Sequence, residues 1–259
     1  FGTPLAASVF AMEVVSVGVM YYAALLPCVL ASVIAQRFSL FLGGEATAFS
    51  VSGIPQEADA LLIAKLLLFG AACAGLAALV CIVFHNVGHL FKKWFPNRYV
   101  CIAVGGAAVV ALTLLLGTRD YNGAGGHVIA AALGGTAKPE AFLLKIVFTA
   151  VTLGCGFKGG EIVPTLFVGS TFGCAAGALR GLPAGFAAAL GITGLFCGMT
   201  NCPLTSLLIS VELFGADGLL CYAVVCAVSY VCSGYRGLYS SQTILYSKLR
   251  AEFINVHTK

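Results

Sequence analysis

The run GCGFKGGEIVPTLFVGSTFG, residues 154–173, brings a lysine, two adjacent glycines, a glutamate and a proline into a few consecutive positions. Gly159 and Gly160 leave the backbone open to close approach. A helix is predicted to start near Glu161, with Pro164 in its first turn, where a missing N–H is well tolerated. The first amides of such a helix have no acceptor within it, and the aligned peptide dipoles put partial positive charge there. Those amides can make an anion site from backbone alone. Lys158, just before the glycines, adds a full positive charge. A plainer reading has the glycines permitting tight packing and Lys158 sitting at a membrane interface. The local pattern leaves both open.

Other residues with chemical potential are weaker. His85 and His89 stand four apart in HNVGH, but Asn86 replaces the glutamate of the zinc-protease pattern H-E-x-x-H. A membrane-embedded metalloenzyme using His85, His89 and His127 is thus an alternative with little support. The eleven cysteines show no C-x-x-C pair and lie inside apolar runs, as small buried hydrophobes do. Glu13 and Glu212 belong to a repeat. TPLAASVFAMEVV (3–15) and CPLTSLLISVELF (202–214) align at an offset of 199, pairing Pro4 with Pro203, Leu5 with Leu204 and Glu13 with Glu212. Carboxylates inside a membrane are functional suspects. Equivalent places in two copies favour a shared structural task instead, such as capping a helix end.

These residues must be held by membrane-spanning elements. Sixty per cent of the 259 residues are hydrophobic and nine per cent charged, against roughly 25% charged in a soluble domain. A span needs about 20 mostly apolar residues, and residues 99–118, 181–211 and 218–235 carry no formal charge. The net charge of +4 marks no nucleic-acid binder, because the basic residues gather at span ends: FKKWFPNR (91–98), and SKLRAEF with Lys259. By the positive-inside tendency both face the cytoplasm, and the acidic stretch Glu45–Asp59 faces the other side. The expected class is all-α and polytopic. Helices are expected at 2–14, 16–35 (bent at Pro27), 60–86, 97–117, near 127–134, 140–154, 161–179, 184–197, 203–214, 216–234 and 240–252. Gly173 with Gly177, and Gly181 with Gly185, have the small-xxx-small spacing of close helix packing in lipid. Internal repeats and broken helices are how many transporters build a site at mid-membrane.

The chain resembles the CLC family of chloride channels and anion–proton exchangers over nearly its whole length. GGEIVP is similar to the family's anion loop, FGTPLAASVFAMEVV and TNCPLTSLLISVELF to its paired half-ending helices, and GYRGLYSSQTILYSKL to its final helix. The resemblance implies two inverted halves. Residues 1–36 would end the first, and 37–259 would form the second, with the anion loop and the C-terminal helix. It implies that the amides of Glu161 and Ile162 and the hydroxyl of Tyr239 hold the central anion. The family's gating glutamate and pore serine would precede residue 1. It also implies a homodimer through helices near 2–35 and 203–235, a multi-pass place in a bacterial plasma membrane with a cytoplasmic C-terminus, no catalytic residue, and no cofactor beyond a bound halide.

Two departures narrow this expectation. Glu161 stands where chloride-transporting members have an apolar residue. A carboxylate beside a bound anion repels it unless protonated, and burial with a nearby anion raises a carboxyl pKa. An acidic residue there resembles the fluoride–proton exchanger branch. The internal proton-transfer glutamate of the chloride exchangers would align with Val14, which carries no proton. Chloride channel and fluoride–proton antiporter both remain open, beside a truncated homologue without transport.

Overall fold

The computed structural model describes residues 2–44, 49–55, 59–179 and 181–258. Glu45, Glu57 and Lys259, used above to orient the chain, lie outside them. Ten α-helices run through the described residues: α1 (Pro4–Glu13), α2 (Leu25–Phe41), α3 (Ala60–Trp94), α4 (Arg98–Leu116), α5 (Gly126–Leu133), α6 (Ala141–Gly154), α7 (Ile162–Leu179), α8 (Ala184–Thr200), α9 (Pro203–Phe214) and α10 (Leu219–Cys232). α2 with the turn before it, α3, α4 and α7 are long and apolar enough to cross a membrane.

The core is organised on α8, buried at every residue from Gly185 to Thr200. α7 lies along it through small residues. A Cβ on Gly173 would run into the Ala187 carbonyl oxygen, and one on Gly191 into the Gly169 carbonyl oxygen. Backbones this close gain dispersion contact that larger side chains would forbid, which matters where lipid supplies little hydrophobic drive. The Gly173 and Gly177 expectation therefore holds as packing. α3, α5, α9 and α10 complete the shell around α8, while α2 has no buried residue at all.

Helix boundaries follow caps and breakers. Asp59 accepts from the Leu62 amide (2.8 Å) to open α3. That helix runs on through the basic residues to Trp94, beyond the expected end at 86, because nothing in HNVGHLFKKW breaks it before Pro96. Its 35 residues span about 52 Å at 1.5 Å per residue, well beyond a hydrocarbon core of about 30 Å. Its Lys92–Trp94 end must emerge.

Two expectations are corrected. The helix expected from residue 16 begins only at Leu25. Ser16–Val17 form a strand (β1), Gly18 takes φ +93°, and Tyr22–Ala24 make a 3₁₀ turn. Pro27 then falls in the first turn of α2, where it bends nothing. The C-terminal helix expected at 240–252 is absent. Thr243–Tyr246 (β2) and Phe253–His257 (β3) are strands instead, in a small sheet of order β1-β2-β3, parallel between β1 and β2 and antiparallel between β2 and β3. The segment TILY carries β-branched residues that favour extended backbone, and its Ile244 is buried as a strand on β1 would bury it.

Candidate anion site

α7 opens as the sequence requires. The Glu161 carbonyl accepts from the Thr165 amide (3.1 Å) and from the Thr165 hydroxyl (2.8 Å), so Glu161 is the helix's entry residue. Among the described residues nothing accepts from the amides of Glu161 and Ile162, which stay available to a ligand. The two glycines are not demanded by packing. A Cβ on Gly160 would meet nothing within 4 Å, and one on Gly159 only the flexible end of Leu153, at 3.3 Å. At these two positions the lack of a side chain leaves backbone exposed and closes no helix contact.

The loop separates two cavities. One, of 550 Å³, takes Lys158 and Glu161 from the loop, His85, His89 and Lys92 from α3, and Ser240. The other, of 440 Å³, takes Gly159 and Gly160 from the loop, Val163 and Pro164 from α7, and Lys145 from α6. Glu161 is half-buried and Lys158 exposed. They form no ion pair: the ion pairs among the described residues are His127 and Lys138 with Asp120, at 3.2 and 3.6 Å. Glu161 is thus a half-buried carboxyl, unpaired among the described residues, beside free amides.

Tyr239 is carried to the same place by the C-terminal segment. Leu238 donates its amide to the Met199 carbonyl (2.8 Å) at the end of α8, and the Thr258 hydroxyl holds the Tyr239 carbonyl (2.6 Å). Gln242 ties the segment down by donating to the carbonyls of Val14 (2.9 Å) and Thr200 (2.8 Å). The half-buried Tyr239 ring packs 6.5 Å from that of Phe10, and among the described residues no group hydrogen-bonds its hydroxyl. The Glu161 charge acts on this phenol, which places the two in electrostatic reach. Leu238 and Ser240, on either side of Tyr239, line the same cavity as Lys158 and Glu161. His127 does not join His85 and His89. It lines a third cavity with Asp120 and Lys138, so the three histidines of the metalloenzyme alternative fail to converge.

Residues 1–234 match the family described as "Voltage gated chloride channel". The chain belongs to this family. It is 33% identical over 257 residues to a chloride/fluoride channel protein of Pseudomonas syringae pv. tomato, covering 96% of this chain and 56% of that protein. It is 31% identical over 248 residues to the voltage-gated ClC-type chloride channel ClcB of Escherichia coli O157:H7, covering 88% and 57%. Among solved structures it matches a CLC-type fluoride/proton antiporter with TM-score 0.88 at 33% identity, over 93% of this chain and 61% of that one. A slow cyanobacterial Cl⁻/H⁺ antiporter shares the fold at TM-score 0.69 and 18% identity. The chain spans little more than half the length of the curated relatives it matches. It is an integral membrane protein of CLC fold, and these relatives are channels and antiporters rather than enzymes.

Within that fold the repeated glutamates have a definite task. Glu212 accepts from the amides of Leu5 (3.0 Å) and Ala6 (2.9 Å) at the start of α1. Glu13 accepts from the amides of Leu204 (3.1 Å) and Thr205 (2.9 Å), and from the Thr205 hydroxyl (2.6 Å), at the start of α9. Each caps the other's helix, in line with the structural role expected of both. Lys145 escaped the sequence reading. It is 2% exposed, donates to the carbonyls of Tyr121 (3.1 Å) and Gly123 (2.6 Å), and lies 4.9 Å from the Phe167 ring centroid. A lone lysine in the apolar run 141–154 was the available signal.

Proposed function

We propose that this chain supplies the anion loop, the pore tyrosine and the dimer surface of a membrane protein that exchanges fluoride for protons. The observation that carries the reading is Glu161: a half-buried carboxyl without an ion-pair partner among the described residues, next to the free amides of Glu161 and Ile162. An ionised carboxylate there opposes an anion. A protonated one donates a hydrogen bond to it, and charge-assisted O–H bonds are short and strong, most of all to the smallest and most basic halide. One residue can thus bind the anion and carry the proton. The amides of Glu161 and Ile162 and the hydroxyl of Tyr239 complete the shell, Gly159 and Gly160 open it, and Lys158 raises the local anion concentration. A halide is the only bound ion this requires. Two copies associate through α1, α2, α9 and α10, whose Leu5, Leu26, Leu204 and Leu220 are all close to half exposed or more in one chain. The basic turn between α3 and α4 and the C-terminus face the cytoplasm of a bacterial plasma membrane.

The test is flux from liposomes loaded with fluoride or chloride, with proton movement followed by a trapped pH indicator, for the full-length protein and Glu161→Gln. Wild type is expected to favour fluoride and to move protons against it. Glu161→Gln is expected to lose both properties. Equal chloride flux without proton movement in the wild type would instead identify a passive chloride channel, and an unaltered Glu161→Gln would remove Glu161 from the mechanism.

A further inference from the structure

The cavity that holds Glu161 also holds two histidines that the anion shell does not use. His85 is half-buried and His89, one turn on, is exposed. His85 Nδ1 lies 3.0 Å from the Cys81 carbonyl oxygen. A carbonyl only accepts, so Nδ1 carries the hydrogen, and the neutral ring leaves Nε2 with a free lone pair. His85 and Glu161 line the same 550 Å³ cavity, within electrostatic reach of each other. Backbone fixes this placement. A Cβ on Gly154 of α6 would stand 2.9 Å from Val87 Cγ1 and 3.3 Å from the Gly88 nitrogen. The missing side chain lets α6 close on α3 one turn from His85, at the level where α6 hands over to the anion loop.

We infer that His85 passes protons between solvent in this cavity and the Glu161 carboxyl. The inference rests on the reading of Glu161 as the proton carrier. A hydronium gives its proton to Nε2, forming an imidazolium held by the Nδ1–H bond to Cys81. The Nε2–H bond then breaks as the proton moves, directly or through one water, to a Glu161 carboxylate oxygen. A neutral ring and a neutral carboxyl remain, and the ring is ready to repeat. Cys81, His89 and Lys92 share the helix of His85, Lys158 faces it from the loop after α6, and Tyr235 and Arg236 face it from the segment after α10. Glu161 is the one carboxylate among these groups.

The experiment compares His85→Ala, His85→Gln and, as a control from another cavity, His127→Ala, in liposomes with fluoride and proton flux measured together. Both His85 variants are expected to slow proton movement about tenfold or more, with His127→Ala at the wild-type rate. Imidazole added to the medium is expected to restore proton flux to His85→Ala, whose vacated site it fills, but not to Glu161→Gln. Proton flux within twofold of wild type in either His85 variant overturns the inference, and so does a loss in His85→Ala that imidazole leaves unchanged. If Glu161→Gln keeps its coupling, the parent reading fails. If Glu161→Gln loses coupling while the His85 variants keep it, only the relay fails.

Discussion

The crossed capping of α1 and α9 predicts an unequal loss of stability. Pro4 and Pro203 stand at the first position of their helices and have no N–H, so the first amides needing an acceptor are those of the next two residues. Glu212 satisfies Leu5 and Ala6, and Glu13 satisfies Leu204 and Thr205. The surroundings differ. Thr205 is fully buried and brings a third donor, its hydroxyl, to Glu13, whereas Leu5 is 49% exposed. A buried group left without its partner costs about 1–3 kcal/mol. Glu13→Ala strands the Thr205 amide and hydroxyl and is expected to cost about 3–5 kcal/mol. Glu212→Ala leaves the Leu5 amide to water and strands only that of the buried Ala6, at about 1–2 kcal/mol. At about 2–4 °C per kcal/mol for a chain of this size, thermal unfolding in detergent micelles should fall by about 10 °C for Glu13→Ala and a few degrees for Glu212→Ala. Both carboxylates pin one helix pair, so the double variant should lose less than the sum. A Glu212→Ala loss equal to that of Glu13→Ala, or strict additivity, refutes the reasoning.

Gly173→Val should prevent α7 from seating on α8, because the added atoms meet the Ala187 backbone. Its monodisperse fraction in detergent is expected to collapse into aggregate, while the same change at Gly117, with open space around a Cβ but φ +64°, costs only backbone strain of about 1–3 kcal/mol. On the exposed loop between α4 and α5, the His127 hydrogen bond, then that of Thr118, hold the Asp120 carboxyl below its usual 3.8. The contribution of these bonds is present above that value and lost as pH falls through the lowered one. His127→Ala should move the Asp120 titration, followed by carboxyl NMR, back toward 3.8.

Legibility in the sequence followed the kind of constraint. The helices at 141–154, 162–179 and 203–214 were readable because glycine and proline punctuate them and apolar runs fill them. The start of the helix after Glu161 was readable because exposed backbone needs glycine and a helix start tolerates proline. The stretch 16–24 was not. It is as apolar as a span, and only its pairing with a segment 227 residues away makes Ser16 a strand residue opposite Thr243. The C-terminal segment failed for the same reason, since its strands exist through β1 and each other. Position in the repeat revealed that Glu13 and Glu212 were equivalent, but not that each serves the other's helix. That reciprocity is a property of two antiparallel helices in contact.

Lys145 and His85 show where a charge count misleads in a membrane protein. Searching for runs without charge finds spans and passes over the residue that interrupts one. Lys145 is held because the chain bends back at Tyr121 and Gly123 to offer two carbonyls, a polar nest that exists only once the broken segment 117–125 is folded. His85 reads as the wet end of a span, yet α3 runs two further turns and His85 faces the cavity that contains Glu161. Both cases have one physical origin. A charge persists at depth only where loose backbone or a cavity receives it, and in this chain loose backbone occurs where helices stop short. The helix breaks that the sequence does show, at Gly123, Gly125, Gly159 and Gly160, therefore predict where the unseen polar contacts gather. They gather around one loop, with Lys145 on one side and His85 on the other, and the loop's free amides between them.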